Sequence, residues 1–156
     1  MKTNSTATER RYETLLQLLR TSETIWNASR LFFGRWDLSA SQFNVLNVLR
    51  DHAAGLTQIE LSRELITHRS NVTGLVDRLE ERGLVARKAV PGDRRAYSVQ
   101  LTKAGAQLVE EILPEYYARA EAAFEAIPLK DLPQFNRQLA EIDATTTRIA
   151  AQLENH

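Results

Sequence analysis

Apolar residues recur at helical spacing over the first part of the chain, and no proline interrupts them. The pattern predicts one long helix from about Glu9 to Trp36. Two segments with capping-box spacing follow, at 39–42 and 57–60, and each is typical of a helix start. We therefore expect a second helix that ends near His52 and a short third helix that ends near Leu65.

A fourth helix is predicted after a brief break, because apolar residues again share one helical face. They are Val72, Leu75, Val76 and Leu79. Gly83 suits the position just beyond the end of this helix. The spacing then changes toward the alternation of strands, which predicts a hairpin of residues 84–90 and 97–101 around a turn at 91–93.

Two more helices are predicted to close the chain, from Lys103 to about Ala126 and from Leu132 to about Leu153. A two-stranded hairpin is only marginally stable by itself, so we expect it to pack on the helices before it. The order of elements predicts a mainly α fold that contains a two-stranded β wing.

Composition narrows the classes of protein that fit this pattern. The chain has 156 residues, of which 43% are hydrophobic and 26% charged, and this suits one compact domain or two small ones. The absence of cysteine excludes disulfides, thiolate metal sites and cysteine nucleophiles. No stretch approaches the roughly 18 uninterrupted apolar residues that span a bilayer, and the first residues lack a secretory signal's apolar core. We therefore expect a cytoplasmic protein with no membrane partner.

Charge is unevenly distributed, although the 20 basic and 20 acidic side chains cancel. Residues 1–56 carry a net charge of +2, residues 57–103 carry +3 and residues 104–156 carry −5. A basic middle followed by an acidic end is a pattern found in nucleic-acid-binding proteins. The alternative is that these charges only form solvated faces.

The segment from Thr57 to Leu79 has the layout of a helix-turn-helix, two short helices joined by a tight turn. In that motif the second helix enters the DNA major groove and presents its first residues to base edges. Asn71 and Thr73 are predicted to face the bases, because asparagine can bond an adenine edge with both its donor and its acceptor. The further candidates for DNA contact are Arg63, Thr67, His68, Arg69, Ser70, Arg78 and Lys88.

Phosphate contacts are expected from Arg63, Arg69 and Lys88, since cations of this kind position a protein on DNA without reading its sequence. The alternative for the fourth helix is a polar flank that only faces solvent.

The hairpin tip, Pro91 to Arg95, carries two adjacent arginines. An arginine on a projecting loop can enter a narrow minor groove, where the negative potential is concentrated. Asp93 is predicted to orient Arg94 or Arg95 through a charge-assisted pair. Position alone leaves open which arginine inserts, because adjacent strand residues point to opposite faces. The alternative is an ordinary solvated hairpin tip.

These motifs together resemble the multiple-antibiotic-resistance-regulator (MarR) family of winged-helix transcription factors. The matching segments are Leu61–Leu65, Arg69–Thr73, Leu75–Val85, and Asp93-Arg94-Arg95 followed by Leu101-Thr102 and Gly105. The order of elements matches over nearly the whole chain. The resemblance implies a winged helix-turn-helix DNA-binding domain at 37–103 on a helical dimerisation base formed by 1–36 and 104–156.

The resemblance further implies a homodimer on a pseudo-palindromic operator in double-stranded DNA, and repression that a small phenolic or aromatic ligand relieves. It favours Arg94 at the wing tip, with Asp93 and Arg95 as an internal pair. It also places an effector cleft near the first two helices. The candidates there are Trp26, Arg30, Phe33, Trp36, Phe43 and His52. The alternative for each is an ordinary core aromatic or surface charge.

Three positions depart from the family pattern. Ile66 stands where glycine is frequent, Gly74 where arginine is frequent, and His68 where a serine cap is usual, so that Thr67 is expected to supply the cap. These departures bear on base preference rather than on the fold. The absence of cysteine excludes thiol-based peroxide sensing, and three histidines argue against a zinc-sensing site. No metal and no cofactor are expected.

The sequence leaves two classes of function other than DNA binding, an enzyme and a protein-binding module. An enzyme is not expected, because the carboxylates are scattered, His52 has no nucleophile partner and no glycine-rich phosphate loop occurs. A winged helix that contacts only proteins remains the alternative, and its wing would more often be apolar than Arg94-Arg95. The sequence therefore predicts a DNA-binding transcriptional regulator.

Overall fold

The computed structural model describes residues 6–65, 72–90 and 93–154, without the side chains at 90 and 93–96. The helices are α1 Ala7–Phe33, α2 Ala40–Arg50, α3 Gln58–Glu64, α4 Val72–Glu81, α5 Lys103–Ala123 and α6 Leu132–Glu154. The strands are β1 Leu56–Thr57, β2 Val85–Val90 and β3 Asp93–Leu101. The fold is therefore mainly α with a small antiparallel sheet, as the sequence predicts.

The chain divides into two compact units, Met1–Glu111 and Ile112–His156. A continuous apolar core lies in the first unit, where side chains from α2, α3, α4 and the sheet are almost fully excluded from solvent. Its most deeply buried members include Phe33, Val45, Leu46, Leu49, Leu61, Val76, Leu79, Val85 and Val99. This core holds α4 and the hairpin in place.

Both predicted capping boxes are confirmed. At the start of α2 the Ser39 hydroxyl accepts from the Gln42 amide at 3.1 Å, and the Gln42 side chain accepts from the Ser39 amide at 2.8 Å. Thr57 and Glu60 form the same reciprocal pair at the start of α3. The Thr57 backbone amide and hydroxyl lower the pKa of the Glu60 carboxyl, because both bonds favour its charged form.

The first helix ends three residues earlier than its apolar pattern predicts. A short 3₁₀ turn, Gly34–Trp36, follows α1, and Asp37 then adopts a left-handed conformation with φ of 53°. Aspartate tolerates this conformation better than most residues, so the chain can reverse here into α2. The Leu38 amide closes the turn by donating to the Phe33 carbonyl at 3.2 Å.

The sheet has a third strand that the sequence does not predict. The strand order is β1-β3-β2, and Leu56 of β1 pairs with Val99 of β3. Two residues are too few to show an alternating pattern, and Thr57 is already accounted for as a helix cap. The return strand also begins at Asp93 rather than at Tyr97, because backbone pairing continues to Val90 opposite Asp93 after an irregularity at Ala89.

In the second unit, α5 ends at Ala123 and α6 begins at Leu132, so the predicted ends of α5 and α6 are close to those observed. The rings of Phe124 and Phe135 meet edge to face, with centroids 6.4 Å apart. None of the residues of α6, all of which are described, is buried in the single chain. No helix of the described chain is long and apolar enough to cross a bilayer.

Candidate nucleic-acid interface

The fourth helix has two distinct faces. Its inner face is formed by Val72, Leu75, Val76 and Leu79, which are 0–3% exposed. The side chains of Thr73, Asp77 and Arg78 point away from this core and are exposed. Because the buried face fixes the rotation of α4 about its axis, the outer face is a preformed polar surface.

The outer face of α4 also contacts α3. The Thr73 hydroxyl donates to Gln58 Oε1 at 3.3 Å, which joins the first turn of α4 to the first turn of α3. Arg63 lies exposed in the last turn of α3. The two helices of the predicted helix-turn-helix therefore form one surface.

An ionic network joins α4 to the first strand of the hairpin. The Arg87 guanidinium donates to the carboxylates of Asp77 and Glu80, and the Arg87 backbone amide donates to Glu80 Oε1 at 2.8 Å. The amide bond is the main reason that the pKa of Glu80 is lowered. Burial of Arg87 opposes its charge, but the bonds to Asp77 and Glu80 outweigh burial and raise its pKa.

Arg87 and Lys88 are adjacent but lie on opposite faces of the hairpin. Arg87 pairs with the buried Val99, which places it on the inner face beside α4. Lys88 pairs with Ser98 and is exposed on the other face. Of the two cations, Lys88 is the one accessible to a partner.

The end of α4 is anchored to the region just after α1. The Arg82 guanidinium donates to the backbone carbonyls of Trp36, at 3.0 Å, and of Asp37. The Trp36 indole N–H donates to Glu111 Oε1 at 2.8 Å. The Arg82 bonds attach the C-terminal end of α4 to the 3₁₀ turn, and the Thr73 bond attaches its first turn to α3. Both ends of α4 are therefore held.

The remaining predicted DNA contacts fall in parts of the chain that the structure does not describe. Residues 67–71 lie outside the described residues. They include Thr67, His68, Arg69, Ser70 and Asn71. The side chains of the wing residues Asp93, Arg94 and Arg95 are likewise outside the description. Their roles stay predictions.

Three of the six effector candidates belong to one aromatic cluster. The Phe33 and Phe43 rings stack with centroids 4.3 Å apart, and Phe32 contacts both Phe33 and Trp36 edge to face. Phe33 and Phe43 are 1% and 3% exposed, so they are part of the core. Whether Trp36, which is partly accessible, also contacts a ligand stays a prediction.

The other three candidates lie elsewhere on the first two helices. Trp26 and Arg30 are exposed on α1. His52 follows α2, and its Nε2 is 3.2 Å from Glu64 Oε2 of α3. Among the described residues no group of three or more His, Asp or Glu side chains is arranged to hold a metal ion.

The sequence interpretation does not predict the contacts of Gln58, Asp77, Glu80, Arg82 or Arg87. A signal for the ionic network is present, because Asp77 and Glu80 are one helical turn apart and strand alternation puts Arg87 on the face of Val85. The local pattern does not predict which helix packs against that face of the strand, because this depends on tertiary structure.

Comparison with known proteins gives the family. A family model described as "MarR family" matches residues 36–96. An uncharacterized HTH-type transcriptional regulator of Bacillus cereus is 30% identical over 112 residues, which is 72% of this chain and 74% of that protein. The chain belongs to the MarR family. The resemblance found in the sequence is confirmed.

Other MarR-family comparisons extend the match. The regulator PecS of Dickeya dadantii is 33% identical over 101 residues, 64% of this chain but only 61% of PecS. The repressor YetL of Bacillus subtilis is 27% identical over 133 residues, 83% of this chain and 78% of YetL. A solved structure of BpsR from Bordetella bronchiseptica, described as a mechanism for regulation of DNA binding by 6-hydroxynicotinic acid, matches with a TM-score of 0.72 and 27% identity, covering 81% of this chain and 91% of that one.

Proposed function

We propose that this MarR-family regulator binds double-stranded operator DNA as a homodimer and inserts α4 into the major groove. The observation that carries the proposal is the division of α4 into a buried apolar face and an exposed polar face. A short helix held by its inner face on a second helix is the arrangement by which helix-turn-helix proteins present side chains to base edges. The role is non-enzymatic and is exercised in the cytoplasm.

Base reading is assigned to Thr73, which is exposed on the described part of α4, and to Asn71 from the sequence. The bond from Thr73 to Gln58 uses its hydroxyl hydrogen and leaves the oxygen lone pairs able to accept from a base. Arg63, Arg78 and Lys88 are exposed cations around this face and suit phosphates. The further phosphate and cap roles, at Thr67, His68, Arg69 and Ser70, rest on the sequence.

The wing is proposed to enter the adjacent minor groove through Arg94 or Arg95, with Asp93 orienting the other arginine. Operator affinity of Asp93→Asn at two salt concentrations tests this role. We expect weaker binding at both concentrations, because a wing without its internal pair must be ordered on binding. Stronger binding would contradict it, since removal of a negative charge near phosphate favours association by itself.

Dimerisation is proposed through the N- and C-terminal helices. Along α1 the large apolar side chains of Leu15, Leu19, Ile25 and Trp26 are 47–58% exposed, and α6 has no buried residue in the single chain. Amphipathic helices with exposed apolar faces are typical of surfaces that a twofold partner covers.

Repression and its relief by a small aromatic carboxylate complete the proposal. YetL is described as a repressor, and the DNA binding of BpsR is described as regulated by 6-hydroxynicotinic acid. The partly accessible Trp36 beside Phe32 supplies an aromatic surface in this chain. Calorimetry with salicylate and 6-hydroxynicotinate is the test, and no heat together with unchanged DNA affinity would contradict this part.

Repeated selection of random-sequence duplexes on the protein, followed by mobility shift, tests DNA binding. We expect enrichment of one pseudo-palindromic sequence. Asn71→Ala should cost roughly 1–3 kcal/mol on that duplex and relax base preference. The control Arg63→Ala should weaken selected and scrambled duplexes about equally and flatten the salt dependence. Equal losses of specific and non-specific binding in Asn71→Ala would contradict the assignment, and no enrichment at all would favour a protein-binding module.

A further inference from the structure

The network around Arg87 lies where α4 meets the hairpin, and its geometry differs from that of an ordinary surface ion pair. The Arg87 guanidinium donates to two carboxylates on successive turns of α4, those of Asp77 and Glu80. The Arg87 backbone amide donates to Glu80 as well. The Arg87 side chain is only 24% exposed, whereas Asp77 is 50% exposed. An arginine fork bound at both prongs fixes orientation as well as distance.

Asp77 is the member of this network that lies on the outer face of α4. It follows Thr73 by four residues, so the two side chains are neighbours on the helix surface. A carboxylate at that position would face the phosphates of a bound duplex and repel them. Arg87 supplies one positive charge against the two carboxylates of Asp77 and Glu80, so the net charge of the network falls from −2 to −1 and the repulsion is reduced.

Arg87 itself is unavailable to DNA in this arrangement. Its guanidinium is directed to Asp77 and Glu80, and its inner-face position beside Val99 is opposite to that of Lys88. A contact to phosphate would require the Arg87 guanidinium to release these two carboxylates, each of which is bound to one of its two terminal nitrogens.

We propose that Arg87 is a positioning residue for DNA recognition: it fixes the wing against the recognition helix α4 and offsets part of the negative charge of Asp77 and Glu80 beside the groove. The inference rests on the proposed DNA-binding function and assigns to Arg87 an indirect role. It separates two adjacent cations, Arg87 as the holder of the surface and Lys88 as the contact to the backbone of DNA.

A double-mutant comparison tests this role on the full chain, with the duplex selected on the wild-type protein and a scrambled duplex as probes. Arg87→Ala should lower the ratio of selected to scrambled affinity by roughly tenfold, since directly coupled groups share 0.5–3 kcal/mol. In the background Asp77→Asn with Glu80→Gln, the same substitution should change that ratio little. Arg87→Lys, which retains the charge but cannot fork, should give an intermediate ratio.

Lys88→Ala is the matched control, one residue away on the same strand. It should weaken both duplexes alike, leave their ratio unchanged and reduce the slope of log affinity against log salt by about one unit. If Arg87→Ala behaves as Lys88→Ala does, or if Arg87→Lys binds as the wild type does, Arg87 is a phosphate contact and the inference is wrong.

A measurement without DNA separates this inference from the function on which it rests. Hydrogen exchange of the amides in 85–90 should be faster in Arg87→Ala than in Lys88→Ala, and thermal unfolding establishes that both variants are folded. Unchanged exchange would overturn the positioning role even if the wild type binds DNA. Failure of the wild type to enrich any duplex would overturn the proposed function, and the DNA-facing part of this inference with it.

Discussion

Helices α4 and α6 carry the same kind of apolar pattern but differ in what covers it. On α4 the four apolar side chains are 0–3% exposed, because α2, α3 and the hairpin enclose them. On α6 the apolar residues Ile142, Ile149 and Leu153 are 44%, 50% and 74% exposed in the single chain. Helical spacing therefore predicts both helices equally well, but only for α4 does the chain itself supply the covering surface.

The difference indicates which parts of the chain are complete alone. The first unit has a core that covers the apolar face of α4, whereas the apolar face of α6 needs a further surface, which we assign to a second copy. Four experiments test this difference, and they are ordered by the size of the expected effect.

The largest effect is expected from charge on α6. Ile142→Glu combined with Ile149→Glu should convert a dimer into a monomer, because buried carboxylates without partners are strongly unfavourable at an apolar interface. Light scattering at micromolar concentration measures the mass. Ile59→Glu is the matched control, since Ile59 is 67% exposed on α3 and should leave the mass unchanged. A dimer that persists in the double variant would show that α6 is not at the interface.

Truncation of the enclosed face of α4 should lower stability next most. Leu79 is fully buried, and Leu79→Ala should reduce the free energy of unfolding by roughly 2–5 kcal/mol through lost contacts and a cavity. Urea denaturation measures it. Ile59→Ala, at an exposed position of the same unit, should change stability by less than about 0.5 kcal/mol. Similar losses in the two variants would contradict the contrast between enclosed and open faces.

Substitution of two glycines in the first unit tests how tightly the neighbouring residues pack around each of them. Gly55 and Gly83 both have positive φ, 80° and 68°, but a Cβ on Gly55 would lie 2.6 Å from the Val99 carbonyl oxygen, whereas nothing lies within 4 Å at Gly83. Gly55→Ala should therefore cost roughly 2–4 kcal/mol through strain and overlap. Gly83→Ala should cost about 1–2 kcal/mol through strain alone. Equal midpoints in urea would show that the overlap at Gly55 relaxes freely.

The smallest effect is expected in the dependence of stability on pH through Glu80. The pKa of Glu80 is lowered in the folded chain, so its charged form adds to the free energy of unfolding. This contribution is fully present above the ordinary carboxyl pKa of about 4.3. It is lost as the pH falls through the lowered pKa of the folded chain. Glu80 is 38% exposed, so the contribution should stay below about 1 kcal/mol. Urea midpoints of the wild type and Glu80→Gln should differ at pH 7 and converge at acid pH. A constant difference would show that the charge of Glu80 is not involved.

What the sequence predicts well is what depends on neighbours in sequence. The capping boxes at Ser39 and Thr57 and the buried stripe of α4 are of this kind, and all three are confirmed. The predicted end of α1 lies three residues too late, because Trp36 continues the apolar spacing although it belongs to the 3₁₀ turn that leads to the left-handed Asp37. The sequence does not predict strand β1, because this strand is defined by the pairing of Leu56 with Val99, which is far along the chain.

The candidate site divides in the same way. Thr73 and Lys88 are exposed as expected, since helix and strand periods decide which face they take. The partners of Arg87, by contrast, depend on where α4 crosses β2, and the sequence predicts none of them. Contacts between side chains of different elements are therefore the part of the site that the local sequence does not predict.

Strand β2 stands at the end of the strand order, and such a strand offers its unpaired amides to any other extended chain. In the middle of this strand the Arg87 amide is already bonded to the Glu80 carboxylate, and the charged Lys88 follows it. The Glu80 carboxylate therefore occupies one of the groups through which a second extended chain would pair with this edge of the sheet. Loss of the Glu80 carboxylate should therefore make the protein aggregate more readily in concentrated solution.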